Sequence, residues 1–211
     1  SNSLLLEVTK KRVETMLSLG TTTIEIKSGY GLSTLEEIKL LEVINTLKKD
    51  SLADIVPTFL GAHGWPEDMT KEAYIDEIIH KMLPIVKEKN LAGAQDVWIE
   101  DSHFDVKDTI RLLEASENLG LRSKVHTDAY SYIGGSDLAA EMEMMSADHL
   151  NFTPLSAIKK MANAGVVGVV MPSLDFAVNH PKPFDARPLI DEGLTLALAT
   201  NLNPGNWNEC C

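Results

Sequence analysis

Four of the six histidines, His63, His103, His126 and His149, follow directly on short apolar runs. Carboxylates stand beside three of them, in Glu100-Asp101-Ser102-His103, His126-Thr127-Asp128 and Asp148-His149. A single imidazole at such a place can simply bond a backbone carbonyl. Several on one rim, with carboxylates beside them, form the kind of constellation that binds a divalent metal and moves protons around its bound water. His80, inside YIDEIIHKML, and His180, in NHPKP, fall outside the pattern and are given no role.

Residues at the ends of apolar runs can converge only if the runs are strands of one sheet. Runs of strand length lie at 21–26, 54–60, 96–100, 123–126, 145–150, 166–171 and 194–199. Helical spacing predicts helices over the opening SLLLEVTKKRVETMLSL and over 35–49, 74–88, 106–119 and 155–164. Ser33 and Glu36 make a capping box, and Thr153-Pro154 predicts a hydroxyl N-cap ahead of a first-turn proline. Gly20, Gly120, Gly165 and Gly193 each close a periodic segment just before a strand run, where a left-handed C-cap is needed. Alternating strands and helices predict a parallel sheet, and the Val/Ile/Leu content suits strands covered on both faces.

Seven strands are too many for a five- or six-stranded doubly wound sheet and one short of a (β/α)8 barrel of about 250 residues. The fold class is therefore read as α/β, a (β/α)8 TIM-type barrel with about seven of eight βα units, as one domain over 1–211. An open seven-stranded α/β sheet is the alternative. The chain opens on a helix without an initial Met and stops at NWNECC, so the expectation is a barrel cut at both ends, lacking its first strand and its last helix. In a parallel barrel the site lies at the C-terminal ends of the strands, where the histidines are.

GYG at 29–31 and GG at 134–135 fit neither a P-loop nor G-x-G-x-x-G, and read as tight turns that let backbone amides approach a ligand. EMEMM at 141–145 reads as a helix face packing on the sheet. With 44% hydrophobic and 24% charged residues the chain is globular in composition, and no apolar run reaches the eighteen residues of a membrane span. A net charge of -12 repels phosphate backbones and argues against nucleic-acid partners. The two cysteines, Cys210 and Cys211, are adjacent and cannot make a disulfide framework, and no signal peptide opens the chain, so a cytoplasmic setting is expected.

The strings IEIKSGYGL (24–32), VPTFLGAHG (56–64), KVHTDAYSYIGG (124–135), SADHL (146–150) and ALATNLNPG (197–205), in this order and spacing, closely resemble the imidazolonepropionase family of the amidohydrolase superfamily. The resemblance implies a metal-dependent (β/α)8 barrel with a small β-sandwich built from the chain's two ends. It implies hydrolysis of the ring amide of 4-imidazolone-5-propanoate to N-formimidoyl-glutamate in histidine breakdown, with one divalent metal, zinc or iron. His126 resembles the family's middle-strand metal histidine, and Asn201 stands at its last metal position. The first-strand His-x-His has no counterpart. Tyr30 resembles the tyrosine on the substrate carboxylate, His63 the histidine on the imidazolone ring, and His149 the histidine beside the attacking water. Asn203, Gly205 and Asn206 match the loop that contacts product. Barrels of this family are often dimers, so a homodimer on a small-molecule substrate is expected.

This sequence departs from the family at two places. Asn201 stands where the family has Asp, and a neutral amide oxygen is a weaker metal ligand and no proton acceptor. Ala129 stands where the family has Glu or Gln, leaving Asp128 as the nearest carboxylate that could take over catalytic proton transfer. The implied chemistry is attack by a metal-activated water whose pKa is lowered to about 7. The strand-adjacent Arg122 is expected to point outward rather than to hold the propionate. The competing readings are a non-catalytic barrel, favoured by Asn201 and the absent His-x-His, and an amidohydrolase acting on another cyclic amide.

Overall fold

A computed structural model describes residues 2–204 of the chain. Gly205, Asn206, Cys210 and Cys211 lie outside the described residues. Seven strands are found at the seven expected places: β1 Thr23–Lys27, β2 Asp54–Ala62, β3 Ala94–Ile99, β4 Arg122–Thr127, β5 Ser146–His149, β6 Val167–Val170 and β7 Leu196–Leu198. Their order along the sheet is the chain order.

Two compact units are present. Among the described residues the first runs up to Asp96 and takes in Arg111–Arg122, and the second comprises Val97–Ile110 and the residues from Ser123 to Pro204. In the first unit α1 (Asn2–Ser18) leads into β1, which pairs in parallel with β2 from Thr23 opposite Asp54 to Lys27 opposite Thr58. The crossover is α2 (Thr34–Asp50), which begins at the expected cap: Ser33 is extended and its side chain accepts the Glu36 N–H. The reciprocal half of the box is not made, because the Glu36 carboxylate pairs with Lys39. The segment read as one helix over 74–88 is instead α3 (Lys71–Glu77), a π-helical stretch (Ile78–Met82) and α4 (Leu83–Glu88). Pro84, in the first turn of α4, has no N–H to give to a carbonyl one turn back, and the wider turn before it absorbs the lost bond.

In the second unit β4, β5, β6 and β7 pair successively in parallel. Their crossovers are α6 (Gly135–Glu141), α7 (Leu155–Ala164) and, before β7, α8 (Pro172–Ala177) and α9 (Ala186–Asp191). The helix α5 (Val106–Glu117) follows β3. The four closing glycines all adopt the left-handed conformation, with φ between 75° at Gly165 and 99° at Gly20.

Two further expectations are corrected. Pro154, not Thr153, is the N-cap of α7 and offers no side chain, so the Thr153 hydroxyl is one place too early to cap and bonds elsewhere. EMEMM is not a helix face: α6 ends at Glu141, and Met142 caps it on the way to β5, with Met144 buried in the turn.

The strands are also less uniformly apolar than their runs suggest. In the first unit Lys27 Nζ lies 2.5 Å from an Asp96 oxygen, and the Thr58 hydroxyl donates to Glu25 at 2.5 Å. In the second, Lys124 stands 3.9 Å from Asp148, which also accepts from the Ser146 hydroxyl at 2.8 Å. Charged side chains on alternate strand residues are tolerated because each has a partner.

Candidate active site

The loop after β1 is held from two sides. Ser28 donates its N–H to the Thr58 carbonyl at 3.1 Å, and its hydroxyl oxygen accepts the Leu60 N–H at 3.1 Å, fastening the loop to β2. Beyond Ser28, the N–H groups of Gly29, Gly31 and Leu32 converge on the Glu37 carboxylate at 2.9, 2.6 and 3.3 Å. Gly29 has φ 123°, open to glycine alone. At Gly31 an added Cβ would come within 2.6 Å of the Glu37 backbone nitrogen, so the loop lies flush on the first turn of α2. The amides expected to await a ligand are thus taken by the protein's own carboxylate. Burial pushes the Glu37 carboxyl up, while the Ser28 hydroxyl and the three N–H groups draw it back.

Tyr30 rides on this loop, 46% exposed, with its ring 4.8 Å from that of His63 and tilted by 47°. Two sequence-derived candidates are thereby brought together. His63 follows β2, and the strand end before it is tied by the Tyr74 hydroxyl, which donates to the Gly61 carbonyl at 3.2 Å. Burial, then the carboxylates of Glu37 and Glu77, push the Tyr74 phenol up, keeping it a donor.

In the second unit four rings line up, three of them in the C-terminal parts of β3, β4 and β5 and the fourth, His103, in the loop after β3. Trp98 stacks on His126 with centroids 5.8 Å apart and planes 9° from parallel. On its other contact it meets His103 at 3.6 Å. His126 in turn stands 6.0 Å from His149. His149 and Leu150 are consecutive left-handed residues, with φ 83° and 66°, conformations that cost about 1–3 kcal/mol each in non-glycine residues and gather at functional sites.

Asp128 is fully buried and left-handed, with φ 57°. The Thr127 hydroxyl donates to one of its oxygens at 2.9 Å, and the displaced Thr153 hydroxyl to the other at 2.7 Å. Burial pushes its carboxyl up, against the pull of these hydroxyls. Glu100, at the end of β3, accepts the N–H groups of Ala129 and Tyr130 at 3.0 and 3.1 Å and pairs with the Ser131 hydroxyl. Arg122 is exposed, as expected of an outward residue.

Asn201 is left-handed, with φ 50°, and its Oδ1 accepts from Asn203 Nδ2 at 3.2 Å. These two candidates therefore engage each other. Among the described residues no group of three or more His, Cys, Asp or Glu side chains is placed to hold a metal ion. His126 supplies one imidazole and Asn201 a neutral, already engaged oxygen, so the residues present do not complete a metal site.

Sequence reasoning missed Glu37 and Trp98; it singled out Glu100 as a carboxylate beside His103 and Thr153 as a helix cap, where the structure has Glu100 holding the loop after β4 and Thr153 bonded to Asp128. It also set aside His180, which is 6% exposed and packs 4.8 Å from the Tyr130 ring. The one local signal was an acid in the first turn of α2, eight residues after Gly29.

No family model matches the chain. Among solved structures, an atrazine chlorohydrolase from Arthrobacter aurescens complexed with zinc is 12% identical with TM-score 0.68, covering 95% of this chain and 49% of that one. A guanine deaminase from C. acetobutylicum with bound guanine is 14% identical with TM-score 0.71, covering 100% of this chain and 53% of that one. At these identities the likeness concerns the fold alone, and it is the (β/α)8 class read from the strand count. Among curated proteins, imidazolonepropionase from Thermoanaerobacter pseudethanolicus is 45% identical over 207 residues, 97% of this chain and 50% of that protein. The one from Alkaliphilus oremlandii is 46% identical over 199 residues, 93% of this chain and 47% of that protein. The chain spans about half the length of the curated relatives it matches. Within that span the chain is similar to imidazolonepropionases, at 44–46% identity over 93–97% of its own length.

Proposed function

We propose that the protein hydrolyses the cyclic amide of 4-imidazolone-5-propanoate to N-formimidoyl-L-glutamate, with residues 1–211 forming its barrel domain. The observation that carries this reading is the 45% identity over 97% of the chain to an imidazolonepropionase. Water adds to the ring carbonyl, the carbonyl-to-nitrogen bond breaks, and the departing nitrogen takes a proton. His149, whose backbone is held in a costly conformation, is the residue proposed to orient the water and carry its proton. Tyr30 and His63 are proposed to receive the propionate and the ring, and Asn203, Gly205 and Asn206 to contact product. Asp128, proposed from the sequence as a second proton carrier, has both oxygens filled by hydroxyls, and this favours a part in holding the β4 and β5 loops together.

A divalent metal, zinc or iron, belongs to the reading and is supported by the strand-end imidazole of His126. Because the described residues do not complete its ligand set, no step is drawn through it. A small-molecule substrate, a cytoplasmic setting and a homodimer complete the proposal. The net charge of -12 argues against nucleic acid, and no helix among the described residues is long and apolar enough to cross a membrane.

The test is turnover by the full-length protein, followed as loss of imidazolone absorbance and appearance of N-formimidoyl-glutamate; a folded protein without turnover overturns the reading. Asn201 favours a second reading, a non-catalytic barrel, which that same result would support. In the full-length protein Asn201→Asp is expected to raise the ratio of bound metal to protein. Equal ratios in the two forms would remove Asn201 from the ligand set.

A further inference from the structure

We propose that Glu37 is a positioning residue of this active site: its carboxylate gathers the amides of the Gly29 to Leu32 turn and so fixes Tyr30 against His63 to receive the substrate carboxylate. The inference rests on the reading of Tyr30 as a substrate contact.

Glu37 is buried without exposure in the first turn of α2, and what meets its oxygens is the three N–H groups of the loop and the Ser28 hydroxyl. Three N–H groups on one carboxylate are a charge-assisted set, each bond stronger than a neutral one. The turn they come from has two left-handed residues, Gly29 at φ 123° and Leu32 at φ 51°, and would not hold this shape unaided. Among the described residues the side chain between them, Tyr30, makes no hydrogen bond to the loop, and its ring meets that of His63. Its placement is therefore set by the backbone, which Ser28 fastens to β2 at the start of the loop and Glu37 gathers from Gly29 to Leu32. The Tyr74 hydroxyl on the Gly61 carbonyl ties the end of β2 just before His63, so the two rings meet between an anchored loop and an anchored strand end.

A substrate carboxylate is negative, and the dipoles of the three N–H groups that meet Glu37 offset its charge, while Tyr30 is part-exposed. The residue thus acts through another, and its loss should weaken substrate capture more than the chemical step.

In the full-length enzyme, Glu37→Gln is expected to raise KM by about tenfold while kcat changes by no more than about twofold, the pattern of lost ground-state binding. Tyr30→Phe should raise KM as well. If Glu37 acts through Tyr30, the double variant is no worse than the more damaging single one. Without substrate, amide exchange at Gly29, Gly31 and Leu32 should quicken by at least about tenfold in Glu37→Gln, an effect that does not depend on activity.

A rise in KM for Tyr30→Phe with none for Glu37→Gln overturns the proposal and leaves the reading of Tyr30 intact. Multiplying effects in the double variant, or unchanged amide exchange, also overturn it. An unchanged KM in Tyr30→Phe sinks the reading of Tyr30 and the proposal with it. Should Glu37→Gln fail to fold, Gly31→Ala, which drives a Cβ against the first turn of α2 and lifts the loop, is expected to give the same rise in KM; an unchanged KM there overturns the proposal.

Discussion

After β1, three N–H groups of the loop converge on Glu37, five to eight residues further along the chain. After β4, two N–H groups and a hydroxyl converge on Glu100, 29 to 31 residues earlier. The first clamp is local and can form as soon as α2 does. The second waits for β3 and β4 to be in place, and closing the longer loop costs more entropy, though only slowly more with length. The side chains they serve differ as well. Tyr30 is presented outward on a backbone tied from beneath, whereas Asp128, beside the second clamp, is buried with its own oxygens satisfied. A tied backbone under a free side chain suits contact with a ligand; a tied side chain suits holding loops together.

Removing the clamps separates the two cases. Glu37→Ala is expected to cost about 3 kcal/mol in chemical unfolding, because three donors lose a charged acceptor in a fully buried place. Glu100→Ala should cost less, about 2 kcal/mol, because the half-exposed Tyr130 lets water reach part of what it leaves. An equal or larger loss at Glu100 would break the contrast between a local and a long-range clamp.

The smallest expected effect is on pH. Burial raises the Glu37 carboxyl above its ordinary value of 4.5, so as pH rises from that value the unfolded chain loses this proton before the folded one does. The folded state then holds more protons, and stability falls with rising pH until Glu37 has ionised in both states. Glu37→Gln should flatten that decline in a series of unfolding midpoints, and an unaltered slope would remove Glu37 as its source.

Much of the fold was legible because it depends on local rules. Strand runs, the four left-handed glycine caps and the Ser33 cap are each decided within a few residues. The short helices α6, α8 and α9 were not, since six or seven residues give too little periodicity to see. Within each unit the ring neighbours Tyr30 and His63, and Trp98, His103, His126 and His149, stand at or just after strand ends, positions that the apolar runs already mark. Their supports were not legible in the sequence. Glu37 looks like any first-turn acid of α2, and Glu100 like one more charged residue after a strand; only the folded chain shows which amides they face. Thr153 misled because its capping role depends on a one-residue shift: Pro154 took the cap, and the hydroxyl went to Asp128.

The π-helical stretch at Ile78–Met82 has a consequence for how its segment is spelled. Tyr74, Ile78, Met82 and Val86 are all completely buried and recur every fourth residue. At about 100° per residue, a step of four overshoots a full circle by about 40°, so an unbroken α-helix would carry this row about 120° around its axis by Val86. A wider turn in the middle takes up that drift and brings all four back to one side. A row of apolar residues held to a period of four is thus a written instruction for a local unwinding of the helix.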